Sequence, residues 1–230
     1  MTSTLLLHIE TSSPVCSVAL SRNGTLLALK ELSGNANHAA MLTMMIDQLM
    51  KESKIEMKAL DGIALSAGPG SYTGLRIGAA TAKGLCFALD KPLIAVDSLQ
   101  ALGFGMSSIQ KDSATVICPM IDARRDEIYY GLYLQDGTVM QSSTNIILTA
   151  DFMKRQFVEK TIVIGGSGAI KCKKIAKDRL FQIDLSTTTS AKWMIMPAEK
   201  QFVMGTFSDP VYFEPNYIKP AFISSTKAVL

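Results

Sequence analysis

The stretch Ser66-Ala-Gly-Pro-Gly-Ser-Tyr-Thr-Gly-Leu-Arg-Ile-Gly78 constrains this chain more than any other. An apolar run ends in it, a glycine loop follows and a helix begins, so strand, loop and helix must be contiguous in space. Such a loop offers backbone N–H groups at a positive helix end, the arrangement an anion or phosphate needs. It has neither the Gly-Lys-Ser/Thr ending of a P-loop nor the spacing of a dinucleotide fingerprint. The other reading is that the glycines allow a tight turn and close packing, and their positions favour it. Gly74, Gly78 and Ala82 recur every fourth residue and give one helix face a flat stripe. An interior glycine costs roughly 1 kcal/mol relative to alanine, so two of them require compensation from close contact with another backbone. The stripe is expected to meet a helix, from its own domain or from a partner.

Around this segment the chain reads as short strands and amphipathic helices. Residues 4–10, 15–20 and 25–30 form a meander with its second turn at Asn23-Gly24, and helical spacing runs from Asn37 to about Lys51. Strands at Gly62–Ser66 and Pro92–Val96 flank a helix that ends near Leu89, giving β-β-β-α-β-α-β in the first hundred residues. A Gly- and Ser-containing stretch at 103–113 reads as a connection. Strands then resume at Val116–Ile121 and Glu127–Leu134, with a turn at Asp136-Gly137. A further strand at Thr161–Ile164, a glycine loop at 165–168 and a Lys-rich helical segment from Ile170 follow. The two strand-first halves predict an α/β protein of two related subdomains, 1–100 and 101–230, with the C-terminal segment returning to the first.

Composition narrows the function classes. With 230 residues, 48% of them apolar, the chain can bury a substantial core. A net charge of +3 is too small for a protein that grips nucleic acid unaided, so any RNA contact is expected to be shared with a partner. The four cysteines, Cys16, Cys86, Cys118 and Cys172, form no close pair, which argues against a zinc site or a disulfide framework and fits a reducing cytoplasm. Neither a signal peptide nor a membrane-length apolar run is read. Only His8 and His38 are available as imidazoles, and no metal-binding or nucleophile-elbow spacing occurs, so no catalytic residue and no metal is assigned.

The helix at 37–51 carries more apolar surface than one core stripe uses. Leu42, Ile46 and Leu49 suit a core, and Met41, Met44 and Met45 then form an additional sector. That sector either is buried a second time within the chain or meets a partner. The candidate partner face therefore comprises His38, Met41, Met44, Met45, Tyr72, Thr73, Gly74, Ile77, Gly78, Thr81 and Ala82. In the second half, Asp122-Ala-Arg-Arg-Asp-Glu-Ile-Tyr-Tyr130 places charges in a turn between strands, with Asp122, Arg124 and Glu127 able to bridge them. Lys171, Lys173, Lys174, Lys177 and Arg179 form a basic cluster that reads either as a solvated helix face or as a contact for RNA phosphates.

Four segments together resemble the TsaB (YeaZ) family: Ile-Glu-Thr-Ser at the start, the glycine segment, Ala-Val-Asp-Ser-Leu, and Asp-Ala-Arg-Arg-Asp-Glu-Ile-Tyr. They cover about residues 5–130, and Glu214-Pro-Asn-Tyr-Ile-Lys219 resembles the family's ending more loosely. The resemblance marks Glu10, Ser12, Gly68, Pro69, Gly70, Ser71, Arg76, Asp97, Ser98, Asp122, Arg124 and Glu127 as family-motif positions. It implies an actin/Hsp70-like (ASKHA, ribonuclease H-like) fold with mixed sheets flanked by helices. It also implies a scaffold role beside the catalytic subunit TsaD and the ATPase TsaE in threonylcarbamoylation of adenosine 37 of tRNA, with self-dimerisation through the same helices. ATP and metal belong, on this reading, to the partner subunits. Ser98 and Leu102 stand where the catalytic relatives have two histidines, and Glu10-Thr-Ser stands where the fold's phosphate turn has Asp-x-Gly. The rival readings are a glycoprotease-type metallopeptidase and a small phosphotransferase of the same superfamily.

Overall fold

The computed structural model describes residues 3–34, 38–109, 115–149, 162–173 and 181–219. Its first strand sets the layering. β1 (Leu5–Glu10) is buried at every position, and alternation sends Leu5, Leu7 and Ile9 into one core and Leu6 into another on the opposite face. His8 and Glu10 follow the parity of Leu6. β2 (Cys16–Arg22) pairs antiparallel with β1, and β3 (Thr25–Leu32) with β2. The β2–β3 turn uses positive φ at both Asn23 (51°) and Gly24 (73°), which a type I′ hairpin requires and Asn-Gly supplies. β4 (Gly62–Gly68) and β5 (Leu93–Asp97) extend the sheet in parallel, in the order β3-β2-β1-β4-β5.

Helices α1 (His38–Ser53) and α2 (Tyr72–Leu89) cover the face carrying Leu5, Leu7 and Ile9. Leu42, Ile46 and Leu49 supply the core stripe of α1, as their spacing predicts. Ser71 caps α2, its Oγ accepting the Gly74 N–H at 3.3 Å.

The second half repeats the first. β6 (Val116–Asp122), β7 (Glu127–Tyr133), β8 (Val139–Ile147), β9 (Ile162–Gly165) and β10 (Phe181–Asp184) form a sheet of order β8-β7-β6-β9-β10. Its pairings are again two antiparallel followed by two parallel. A short helix, α4 (Ala169–Cys172), follows β9. All four cysteines are buried free thiols.

One expectation is corrected between the sheets. Residues 103–107, read as the start of a connection, belong to α3 (Ser98–Ser107). Asp97 starts this helix by accepting the N–H groups of Leu99 and Gln100, both at 2.9 Å. Gly105 marks a packing position and not a chain break, because a Cβ there would lie 2.7 Å from the Trp193 ring. Leu99, Leu102 and Met106 of α3 pack with Ile117, Ile121 and Val163 of the second sheet, while Ala101 joins the core of the first. A boundary at residue 100 thus runs through a helix that serves both sheets.

The chain then returns to the first sheet. A 3-10 turn (Ala191–Met194) and α5 (Ile195–Val203) place Met194 and Ala198 against Leu6, Ile94 and Val96. Ser208 bridges to Leu93, and residues 209–219 continue as a strap along α2 and β4, where Lys83 Nζ donates to the carbonyls of Val211 and Phe213 and Asn216 N–H donates to Ala67 O at 2.7 Å. Among the described residues no helix is long and apolar enough to cross a membrane.

Candidate functional site

The turn after β1 gathers the first family motif. Glu10 is 1% exposed, and its Oε1 accepts the Ser12 N–H at 2.6 Å. Thr11 N–H donates to Ser66 Oγ at 3.2 Å, and Ser12 O accepts the Ser71 N–H at 2.7 Å. Ser13 and Thr189 share a hydroxyl hydrogen bond, which ties the turn to the segment before the 3-10 turn. Burial raises the Glu10 carboxyl above its ordinary range, against the opposing hydrogen bonds from Ser12 and Ser66. An N–H that a phosphate would need in this turn is therefore already satisfied by the chain's own carboxylate.

The glycine stripe explains why the turn is shut. A Cβ at Gly70 would lie 2.3 Å from Ser12 O, one at Gly74 2.0 Å from Thr11 O, and one at Gly78 2.3 Å from Thr11 Oγ1. Helix α2 and the loop before it can rest on the β1–β2 turn only because these three positions, Gly70 in the loop and Gly74 and Gly78 in the helix, have no side chain. The stripe thus meets a turn of its own domain, which corrects the expectation that it meets a helix. Gly68 adopts φ 108° and precedes Pro69 across a cis peptide bond, and a Cβ on it would lie 2.8 Å from Asn216 O of the strap.

The candidate partner face divides into two groups. Met45, Gly74, Gly78 and Ala82 are buried within the chain, so their assignment to a free surface is corrected; Met45 packs in the core with Leu42 and Leu49. Met41 and Ile77 are half-buried against the same core. Met44 and Thr73 are exposed, Tyr72 and Thr81 are half-buried, and His38 opens α1. Arg76 is exposed and sits 4.4 Å over the Tyr72 ring, which in turn packs on Tyr217 of the strap with centroids 4.8 Å apart. Phe87, which the sequence reading passed over, is 88% exposed near the end of α2.

Ser98 and Leu102 are both committed internally. Ser98 Oγ accepts the Gly68 N–H at 3.1 Å, and Leu102 lies in the core beneath the second sheet. Beyond capping α3, Asp97 links the halves: Ser143 Oγ donates to its Oδ2 at 2.7 Å, and the Tyr133 hydroxyl donates to its Oδ1 at 3.5 Å. Burial raises its carboxyl, with those bonds opposing. A cross-sheet link of this kind has no local signature, so the sequence reading found the residue without its partners.

The Asp122–Glu127 turn is open and charged. Asp122 Oδ1 accepts the Arg124 N–H and the Lys171 ammonium, each at 2.6 Å, and Lys171 also donates to Glu127 O at 2.7 Å. Lys171 is therefore a structural cation of this turn. Arg124 and Arg125 are exposed with φ 66° and 48°. Glu127 pairs with Lys219 of the strap and accepts from Asn145 at 3.3 Å, and the Lys219 bond above all lowers its carboxyl. Lys173 is exposed, whereas Lys174, Lys177 and Arg179 lie outside the described residues.

Residues 32–207 match the family model of tRNA N6-adenosine threonylcarbamoyltransferase (TsaD). The chain is 34% identical over 131 residues to the tRNA threonylcarbamoyladenosine biosynthesis protein TsaB of Haemophilus influenzae, covering 57% of this chain and 54% of that protein, so it spans about half the length of that relative. The protein of the same name from Buchnera aphidicola subsp. Schizaphis graminum is 27% identical over 213 residues, 90% of this chain and 95% of that one. A solved structure of YeaZ from Pseudomonas aeruginosa superposes with a TM-score of 0.80 at 28% identity, covering 93% of this chain and 99% of that one. A superposition of that extent includes both sheets and carries the two-subdomain α/β fold expected from the sequence. The family match runs from β3 through α5, across both halves and α3 between them, and the chain belongs to the TsaB (YeaZ) branch of the tRNA N6-adenosine threonylcarbamoyltransferase family.

Proposed function

We propose that this chain is a non-catalytic subunit of the machinery that transfers a threonylcarbamoyl group to N6 of adenosine 37 of tRNA. It acts in the cytoplasm by binding a TsaD-type catalytic subunit and a TsaE-type ATPase, touches tRNA only through them, and pairs with itself when isolated. The observation that carries this reading is the occupied β1–β2 turn. Glu10 holds the Ser12 N–H, and helix α2 lies on Thr11, and Gly70 of the loop before it on Ser12, at distances that leave no room for a side chain. Ser98 and Leu102 are spoken for in the same way, by Gly68 and by the core. Neither the peptidase nor the phosphotransferase reading gains an observation from these contacts. On this proposal ATP and metal are bound by the partner subunits.

The contact surface is the outer face of α1 and α2. Met44 is 42% exposed and Phe87 88%, and Thr73 and Arg76 lie between the helix start and Phe87. Exposed thioether and aromatic side chains among small residues suit a helix-packing partner. The test mixes the purified chain with a TsaD-type subunit, a TsaE-type ATPase and unmodified tRNA. A stable complex and stimulated modification are expected, and Met44→Asp and Phe87→Asp should each weaken complex formation about tenfold or more. If the intact chain yields neither a complex nor stimulation, the proposal is wrong.

A further inference from the structure

A groove of about 440 Å³ opens at the end of the molecule opposite the two motif turns. Its walls come from the β2–β3 hairpin tip, the last turn of α3, the loop after β7, and the junction between the 3-10 turn and α5. Leu26, Phe104, Trp193 and Met196 make it apolar, and among the described residues Lys192 is the one charged side chain lining it. The volume lies within the range of small-molecule sites, which are mostly apolar with a few convergent polar groups.

Besides Gln135, whose amide can donate or accept, the polar side chains lining the groove are two hydroxyls and one ammonium. Ser107 and Ser108 hydroxyls both donate back to α3 carbonyls, those of Gly103 at 2.9 Å and Gly105 at 2.7 Å, so neither is left to donate to a ligand. Trp193 is fixed: its ring lies against Gly105, and its indole N–H donates to Thr188 O at 3.0 Å. Lys192 Nζ stands 4.3 Å from the centroid of that ring and has no carboxylate partner among the described residues. Glu199, whose Cγ would lie 3.7 Å from a Cβ on Gly24, does not line the groove. Two aromatic walls and one unpaired ammonium complement an apolar body that carries a single negative charge.

We propose that this groove is a binding site for a small amphiphile with an aromatic or aliphatic body and one carboxylate. Its walls belong to both sheets, so an occupant braces the β2–β3 hairpin against the loop after β7. The site is separate from the face assigned to partner subunits and does not depend on that assignment.

Trp193 is the only tryptophan of the chain, which makes its fluorescence a local reporter. The full chain is titrated with phenylbutyrate, phenylbutanol and phenylbutylamine, with calorimetry in parallel in case the emission does not change. Phenylbutyrate should bind saturably with stoichiometry of one. The alcohol should bind about fivefold more weakly and the amine more weakly still, as a half-exposed ion pair allows. Lys192→Met should bring the carboxylate down to the level of the alcohol, and Met196→Glu, at an exposed rim position, should weaken the carboxylate further than the alcohol. No saturable binding by either method overturns the proposal. Equal affinity for all three probes, or binding unchanged in both variants, overturns it too, since that describes a nonspecific apolar patch or a surface meant for a protein.

Discussion

The turns after β1 and after β6 occupy the same place in two sheets of identical strand order, yet they are held by different physics. The first, Glu10-Thr-Ser-Ser, is buried, lined by hydroxyls and pressed on by a helix. The second, Asp122 to Glu127, carries its charges into solvent and is held by Lys171 and Lys219. Both are backed by a glycine resting on the preceding strand or turn, Gly74 against Thr11 O and Gly166 against Met120 O. What the halves share is therefore backbone contact, and what separates them is whether shape or charge closes the turn.

Shape should give the largest effects. Gly74→Ala puts a Cβ 2.0 Å from Thr11 O, and neither backbone can yield without moving β1 or α2. We expect a loss of about 3 kcal/mol or more in urea unfolding. Gly84→Ala on the same helix meets nothing within 4 Å and should gain about 0.5–1 kcal/mol. A loss below about 1 kcal/mol for Gly74→Ala would mean that the helix does not rest on the turn as described.

Next in size is a contrast along α1. Met45 is buried in the core while its neighbour Met44 is 42% exposed. Met45→Ala should cost about 2–3 kcal/mol and Met44→Ala almost nothing in the isolated chain. Equal losses would move Met44 into the core and remove it from the partner face.

This pair also shows what the sequence could and could not tell. Helical spacing placed Leu42, Ile46 and Leu49 in the core, because period alone fixes one stripe. How wide that stripe is depends on what packs above it, and β2 and α2 lie far off in sequence, so Met45 was misassigned. Likewise the every-fourth-residue glycines announced a close backbone contact, but nothing local says whether the backbone is a helix or a turn sixty residues earlier. The type I′ turn at Asn23-Gly24 and the caps at Ser71 and Asp97 are decided by neighbouring residues alone. α3 was lost at its glycines because Gly105 answers to Trp193, a tertiary partner.

A smaller effect separates the two acidic residues by pH. Burial raises Glu10 above 4.5 in the fold, so its charged form is disfavoured there and the native state gains stability as pH falls through the raised value. Glu10→Gln keeps an acceptor for the Ser12 N–H without the charge. It should be more stable than the parent by about 1 kcal/mol at pH 8, with the gap closing toward pH 4.5. His8, two residues back, has the opposite sign: burial lowers it from 6.5 to about 3, so both proteins lose stability below pH 6.5 as the unfolded chain takes up that proton. Because they share this loss, their difference isolates Glu10, and a gap that widened on acidification would contradict its burial.

The smallest effect belongs to the charged turn. Lys219 lowers Glu127, so the pair contributes above the ordinary carboxylate range and is lost as pH falls through the lowered value. Both groups touch solvent, so the contribution is small and screened. Lys219→Met should lower the melting temperature slightly at low salt and not at about 0.5 M salt. The informative readout is local. Asn216 N–H donates to Ala67 O under the strap, whereas Leu65 lies in the core of the sheet. Losing the ion pair should speed hydrogen exchange at Asn216 while leaving Leu65 unchanged, with added salt reproducing the effect in the parent. Exchange at Asn216 that ignores both the substitution and the salt would show that Tyr217 on Tyr72 and the Lys83 bonds hold the strap unaided. The second turn would then be closed by shape like the first, and the contrast between the halves would not extend to the strap.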